Sequence, residues 1–308
     1  MTLGVNSIEQ SVNNYFNQVF TAMSQTIYRE FRQDELEFHY NPRNSVTDYE
    51  ELAKKRSKKS QGIRSTLKSW LDIPYGQSPR EILDIYPTSQ AGGPVLVFYH
   101  GGYWRGGSKE DNCDFVPTFV NHGINVVIVE YDLCPNVTVS DIVRQAHDSI
   151  AWVFGNIERY NGAPSKLYIS GHSAGGHLGA MILAHDWTSV GLPRNLIKGA
   201  VLTSGVYDLE MVRNISVNDE IRMTPELVIE NSPYLHPPLP ICPILVIVGG
   251  AEPKGWQMMS EDFYHMCEQR GLDCQYIVVQ SANHFTLMEY MADPSNTLTT
   301  AIFKQIGL

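Results

Sequence analysis

The sequence predicts an α/β protein: a mostly parallel sheet, an antiparallel hairpin at its start, and helices on both faces. Three observations predict it. From residue 94 onward, short runs rich in Val, Ile, Leu and aromatics alternate with stretches of helical periodicity, the pattern of repeated βαβ units. Those runs are apolar throughout rather than alternately polar, as strands covered on both faces are. One run ends in Gly171-His172-Ser173-Ala174-Gly175 directly before a helical stretch, a sharp strand-to-helix turn that small residues permit.

Taken in order, residues 1–34 read as an accessory helix. Ile8, Val12, Phe16, Val19, Phe20, Met23 and Ile27 recur at three- and four-residue spacing and form one stripe. Such a helix packs on its own domain; a dimerising or partner-binding helix, and with it a homodimer, is the alternative. The basic run Lys54-Lys55-Arg56-Ser57-Lys58-Lys59 falls on a second helix and reads as a solvated face. Trp70–Tyr75 and Glu81–Tyr86 flank a glycine-containing turn and form the antiparallel hairpin. Strands follow at Pro94–His100, Asn125–Asp132, Lys166–Ser170, Ala200–Ser204, Pro243–Gly249 and Cys274–Gln280. Helices are expected at Lys109–His122, Ser140–Tyr160, Gly176–Trp187 and Trp256–Arg270. No repeat or low-complexity linker divides the chain, so residues 1–308 are read as a single domain. Residues 205–240 exceed what a strand-to-strand connection needs. With helical Asp219–Asn231 and a proline-rich end, they are expected to form a lid or pocket insertion, together with the N-terminal helices.

Composition excludes several classes of function. The net charge is −10, which does not suit a nucleic-acid surface. No apolar stretch approaches the ~18 residues of a membrane span. Met1–Phe20 lacks a basic start followed by an apolar run, so a cytoplasmic location is expected. The five cysteines (Cys113, Cys134, Cys242, Cys267, Cys274) are scattered and read as reduced thiols, not as a disulfide framework or a metal site. No cofactor is implied, and a small-molecule substrate is the expected partner.

The chemistry centres on Ser173. At the apex of a strand-to-helix turn its Oγ is exposed at the carboxyl edge of a sheet, where the free N–H groups of the following helix also point. His100-Gly101-Gly102-Tyr103-Trp104 closes an earlier strand. In Gly-x-Ser-x-Gly hydrolases such a stretch supplies oxyanion-hole donors, here Gly101, Gly102 and Tyr103, with the N–H of Ala174. The chain order Ser, acid, His places the base at His284, after the last strand. His172 and His177 flank the nucleophile and would line the site rather than act as base. The acid should follow Pro243–Gly249, where Glu252 is the carboxylate of the loop; Asp262, inside the next helix, is the alternative. Tyr103, Trp104, His172 and Tyr207 are the candidate substrate-binding residues.

At these residues the chain resembles the kynurenine formamidase (arylformamidase) family of the α/β-hydrolase superfamily, near the hormone-sensitive-lipase-like esterases. Leu96–Gly107 (LVFYHGGYWRGG), Val126–Pro135 (VVIVEYDLCP), Ser170–Met181 (SGHSAGGHLGAM), Val201–Leu209 (VLTSGVYDL) and Asn218–Met223 (NDEIRM) carry the resemblance, which spans about residues 36–308. The family usually has Asp where this chain has Glu252. The resemblance implies hydrolysis of N-formyl-L-kynurenine to L-kynurenine and formate in tryptophan breakdown, without metal. A carboxylesterase acting on small acyl esters, or a catalytically silent binding protein of the same fold, are the alternatives.

Overall fold

The structure, a computed structural model, describes residues 26–308. A short hairpin, β1 (Thr26–Tyr28) and β2 (Phe31–Arg32), precedes the main sheet. That sheet is built from β3 (Trp70–Pro74), β4 (Ile82–Tyr86), β5 (Gly93–Tyr99), β6 (Asn125–Val129), β7 (Gly162–His172), β8 (Ile197–Thr203), β9 (Ile244–Gly249) and β10 (Cys274–Val279). The spatial order is β10-β9-β8-β7-β5-β6-β4-β3. β3 pairs antiparallel with β4, and β4 antiparallel with β6; every other pairing is parallel.

The apolar runs form central strands because both faces need covering. Along β5, Val95, Val97 and Tyr99 enter one buried cluster while Leu96 and Phe98 enter the other, as the two-residue period of a strand requires. β9 divides the same way, with Ile244 and Val246 against Leu245 and Ile247. Helix Val139–Asn156 starts at a capping box: the Thr138 hydroxyl accepts from Asp141 N, and Asp141 accepts from Thr138 N at 3.0 Å. Its buried face, Val139, Ile142, Val143, Ala146, Ile150 and Val153, recurs at helical spacing. Helix Ala174–Ala184 carries almost no polar surface and is buried nearly all round.

The parallel register aligns the carboxyl ends of the strands. Tyr99 pairs with Gly171, His172 with Thr203, Thr203 with Ile247 and Gly249 with Val279. The loops after β5, β7, β8, β9 and β10 therefore emerge at one edge, where ligands of open α/β sheets bind.

Three expectations need correction. The helix expected over residues 1–34 does not extend through the described part: 26–32 is the β1–β2 hairpin, and a helix begins at Gln33 and ends at Tyr40. Arg29 turns left-handed there (φ 53°), which a right-handed helix cannot accommodate. Tyr28 is held by its hydroxyl on Asp208 at 2.7 Å, while Ile27, expected on the apolar stripe, is 48% exposed. The stripe residues Ile8 to Met23 lie outside the described residues. The helix expected over Lys109–His122 is a single turn at Lys109–Asp111 followed by Val116–Asn121. The helical stretch Asp219–Asn231 is two pieces, Asn218–Ile221 and Pro225–Asn231, parted at Arg222 (φ 58°).

Candidate active site

Ser173 sits between β7 and helix Ala174–Ala184 with φ 58° and ψ −119°. Such a conformation is costly for a residue with a side chain and persists only where the surroundings impose it. Here they do. Ser173 N donates to Thr203 O at 2.9 Å. A Cβ on Gly171 would lie 2.1 Å from Gly175 O, and one on Gly175 only 1.9 Å from Tyr99 O. The turn closes so tightly on itself and against β5 that only glycine fits at positions 171 and 175.

The loop after β5 comes within contact of this turn: a Cβ on Gly101 would lie 3.0 Å from Ser173 Cβ. Gly102, Tyr103 and Trp104 all have positive φ (123°, 50° and 53°). Neither the Gly102 nor the Tyr103 N–H is used in a hydrogen bond among the described residues. Ala174, first in its helix, has an N–H with no intrahelical acceptor. The loop is braced from below. His100 reaches Gly101 O through Nδ1 at 2.8 Å and Glu130 through Nε2 at 3.0 Å, and it stacks on Tyr131. Arg80 pairs with Glu130 at 2.7 Å and donates to Gly107 O at 3.1 Å. Burial pushes the Glu130 carboxyl up, but His100, the Lys109 N–H and Arg80 outweigh it and hold it at about 2. Sequence reasoning missed Glu130. Its signal was a carboxylate ending an otherwise apolar strand.

His284, in the loop after β10, places Nδ1 2.7 Å from Glu252 Oε2. The other carboxylate oxygen accepts from Gly249 N at 2.8 Å and from the Ser204 hydroxyl. Both side chains are buried. The alternative acid, Asp262, instead pairs with Arg29 at the surface. Trp256, not singled out in the sequence, lies against the His284 ring with centroids 4.4 Å apart.

Ser173, His284, His172, Gly101, Gly102 and Tyr103 all line one cavity of about 380 Å³. Its outer wall comes from Asn41–Ser57, including Arg43, Tyr49, Lys54 and Arg56, and the Phe285 ring lies tilted against Tyr49 with centroids 4.6 Å apart. His172 presents a buried Nε2 with no hydrogen-bond partner among the described residues. Burial, reinforced by His284 and Arg56, holds that imidazole well below its ordinary pKa, so it is neutral at pH 7.

Two expected substrate-binding residues lie elsewhere. Trp104 is fully buried and donates its indole N–H to His177 Nδ1 at 3.2 Å. Tyr207 is fully buried and stacks on Phe263 at 3.9 Å. Both fill the core because their rings pack behind the strand edge rather than over it. The insertion 205–240 contributes no lining residue to this cavity; Val206, Leu209, Met211 and Val212 anchor it in the core, and Glu220 reaches the rim to pair with Arg105. Of the expected covering, the N-terminal helices supply theirs through Asn41–Ser57, whereas the insertion does not line the cavity.

A model of the BD-FAE family matches residues 83–222. A kynurenine formamidase of Danio rerio is 33% identical over 296 residues, spanning 91% of this chain and 98% of the relative. One of Salmo salar is 34% identical over 297 residues with the same coverage. A crystal structure from Silicibacter sp. TM1040, described provisionally as a thioesterase, matches with a TM-score of 0.76 at 25% identity, covering 87% of this chain and 98% of that one. The sheet is that of the α/β-hydrolases, and with relatives a third identical along almost their whole length, the chain belongs to the kynurenine formamidase family.

Proposed function

We propose that the protein hydrolyses the formamide of N-formyl-L-kynurenine, releasing formate and L-kynurenine, with Ser173, His284 and Glu252 as its catalytic triad. One observation carries the residue roles: a strained serine and a buried imidazole line the same cavity, and the imidazole's far nitrogen is fixed on a buried carboxylate. Glu252 keeps the proton on Nδ1 of His284 and leaves Nε2 free to act as base. His284 takes the Ser173 proton as Oγ attacks the formyl carbon. The N–H groups of Gly102, Tyr103 and Ala174 receive the oxyanion. His284 then protonates the departing arylamine, a poor leaving group until protonated. Water, activated by the same imidazole, releases formate from the formyl-enzyme and regenerates Ser173. Tyr49 and Phe285 offer aromatic faces for the aryl ring. The free cysteines suit a reducing cytoplasm.

The test is formate release from N-formylkynurenine by wild type and by Ser173→Ala, beside hydrolysis of phenyl acetate. Wild type is expected to turn over both. Ser173→Ala is expected to lose at least ~10³-fold on each, with an unchanged melting temperature. Formate release that survives in clean Ser173→Ala protein would refute the serine mechanism. Ester hydrolysis without formamide hydrolysis would make the protein an esterase.

A further inference from the structure

The basic run 54–59 does not behave as one solvated face. Lys55 pairs with Glu289 on the surface, and Lys58 and Lys59 are exposed. Arg56 turns toward the cavity and lines it. Helix Tyr49–Thr66 holds it there, because Ser60, one turn on, accepts the Cys113 N–H at 3.0 Å and fixes the helix against the loop 109–113.

Among the described residues, Arg56 is the cavity cation with an enclosed, unpartnered nitrogen. Its Nη1 is enclosed and has no hydrogen-bond partner among the described residues. The other cations of the wall are engaged or exposed: Arg105 pairs with Glu220, Arg43 lies over the Tyr49 ring at 4.8 Å, and Lys54 is exposed. The carboxylate of the lining is Asp111, which accepts from Ser108 at 3.0 Å. Asp114 lies nearby, buried and out of ion-pair reach of Arg56, with Oδ1 also lacking a donor. A chain of net charge −10 thus presents a cavity lined by Arg43, Lys54, Arg56 and Arg105 against one carboxylate. Such a local excess draws in anions. Nη1 is enclosed, so a carboxylate in the cavity would meet the part of the half-buried Arg56 side chain that lines it.

We infer that Arg56 is a specificity-determining residue that pairs with a carboxylate on the substrate, so that the site selects amino-acid formamides over neutral arylformamides. The identity of that carboxylate, the α-carboxylate of the amino acid, rests on the formamidase reading. The cavity then works from two ends: the formamide lies at Ser173 and the acidic end lies at Arg56, with the ring against Tyr49 and Phe285. Arg suits this task better than Lys because its planar fork matches a carboxylate with two parallel donors.

The test compares kcat and KM of wild type, Arg56→Lys and Arg56→Met on two matched pairs: N-formylkynurenine with formanilide, and 4-acetoxybenzoate with phenyl acetate. Arg56→Met is expected to lower kcat/KM for the carboxylate-bearing member of each pair roughly 30- to 100-fold, mainly through KM. The neutral member should stay within about twofold, and Arg56→Lys should recover part of the loss. Added salt should weaken turnover of the anionic members more in wild type than in Arg56→Met, which keeps Arg43, Lys54 and Arg105. If anionic and neutral members fall together, Arg56 is a structural partner of Asp114 and the inference is overturned. It is equally overturned if neither falls. Should wild type cleave no formamide, the formamidase reading fails, while the ester pair still decides the role of Arg56.

Discussion

Glu252 is held through both of its oxygens, and that makes it sensitive to the smallest chemical change. Oε2 faces His284 Nδ1 at 2.7 Å, while Oε1 accepts from Gly249 N at 2.8 Å and from the Ser204 hydroxyl. A carboxylate can accept from all three, whereas an amide must turn N–H toward a donor on one side. Glu252→Gln is therefore expected to lose about 10⁴ in kcat, the scale of an acid-to-amide change in the serine-protease triad. It should also lose roughly 1–3 kcal/mol of stability, from a buried group left unpaired. Glu252→Asp keeps the charge, sits one methylene short, and should retain more activity. Formate release and a urea melt read the two effects separately. A Glu252→Gln enzyme within tenfold of wild type would remove Glu252 from the reaction. Glu252 and His284 could be located from chain order alone, because one carboxylate occupies the loop after β9 and one histidine the loop after β10. Ser204, Trp256 and Glu130 could not. Their contributions depend on which strand end lies beside which: Ser204 and Trp256 carry no local signal of that, and the apolar run ending in Glu130 marks the carboxylate but not its partners.

At the scale of elements, the strands were readable because burial on both faces leaves an apolar run, broken in β5, β6 and β9 by no charged side chain and by only one amide, Asn125 at the start of β6. The segments that failed are those where tertiary contacts override local periodicity. The 26–32 hairpin is pinned by Tyr28 on Asp208 and by Arg29 on Asp262, partners far along the chain. Lys109, first in its turn, has an N–H with no intrahelical acceptor and donates it to Glu130 at 3.0 Å, which braces the loop after β5. That the basic run 54–59 lines the cavity, through Lys54, Arg56 and Ser57, was missed for a related reason: its residues look like solvated surface until the fold closes them over Ser173. Two glycine substitutions separate close approach from mere flexibility. Gly175→Ala would place a Cβ 1.9 Å from Tyr99 O; it should cost more than about 3 kcal/mol, or yield no folded protein. Gly62→Ala, inside helix Tyr49–Thr66 with nothing within 4 Å of the new Cβ, should instead raise stability by about 0.4–1 kcal/mol. Denaturant midpoints measure both. A tolerated Gly175→Ala would contradict the tight turn at Ser173.

For the whole molecule, buried histidines make stability depend on pH. His177 is enclosed between Trp104, whose indole donates to Nδ1 at 3.2 Å, and Asn231, whose carbonyl meets Nε2 at 2.8 Å. That arrangement accommodates only the neutral ring with its proton on Nε2, since a second proton would face the Trp104 N–H. Burial lowers the His177 pKa to about 4, and His147 is likewise lowered to about 4 by burial and by His185. The unfolded chain binds these protons at about pH 6.5 and the folded chain does not. Stability is therefore fully present above about pH 6.5 and falls as pH drops toward 4, because the unfolded state takes up protons that the native state refuses. Glu130 acts in a lower window. Its carboxyl, held at about 2 in the fold, contributes stability above roughly pH 4.5 that is lost as pH falls toward 2. The two windows meet only below about pH 4.5, so a decline between about pH 7 and pH 5 belongs to the histidines. His177→Gln supplies an acceptor for Trp104 and a donor for Asn231 without a titrating group. It is expected to remove on the order of 2 kcal/mol of the stability difference between about pH 7 and pH 5. Urea unfolding at both values, on wild type and variant, measures it. A variant whose stability fell with pH as steeply as wild type would place the acid sensitivity outside His177, and a wild type with no decline over that range would deny it to the buried histidines altogether.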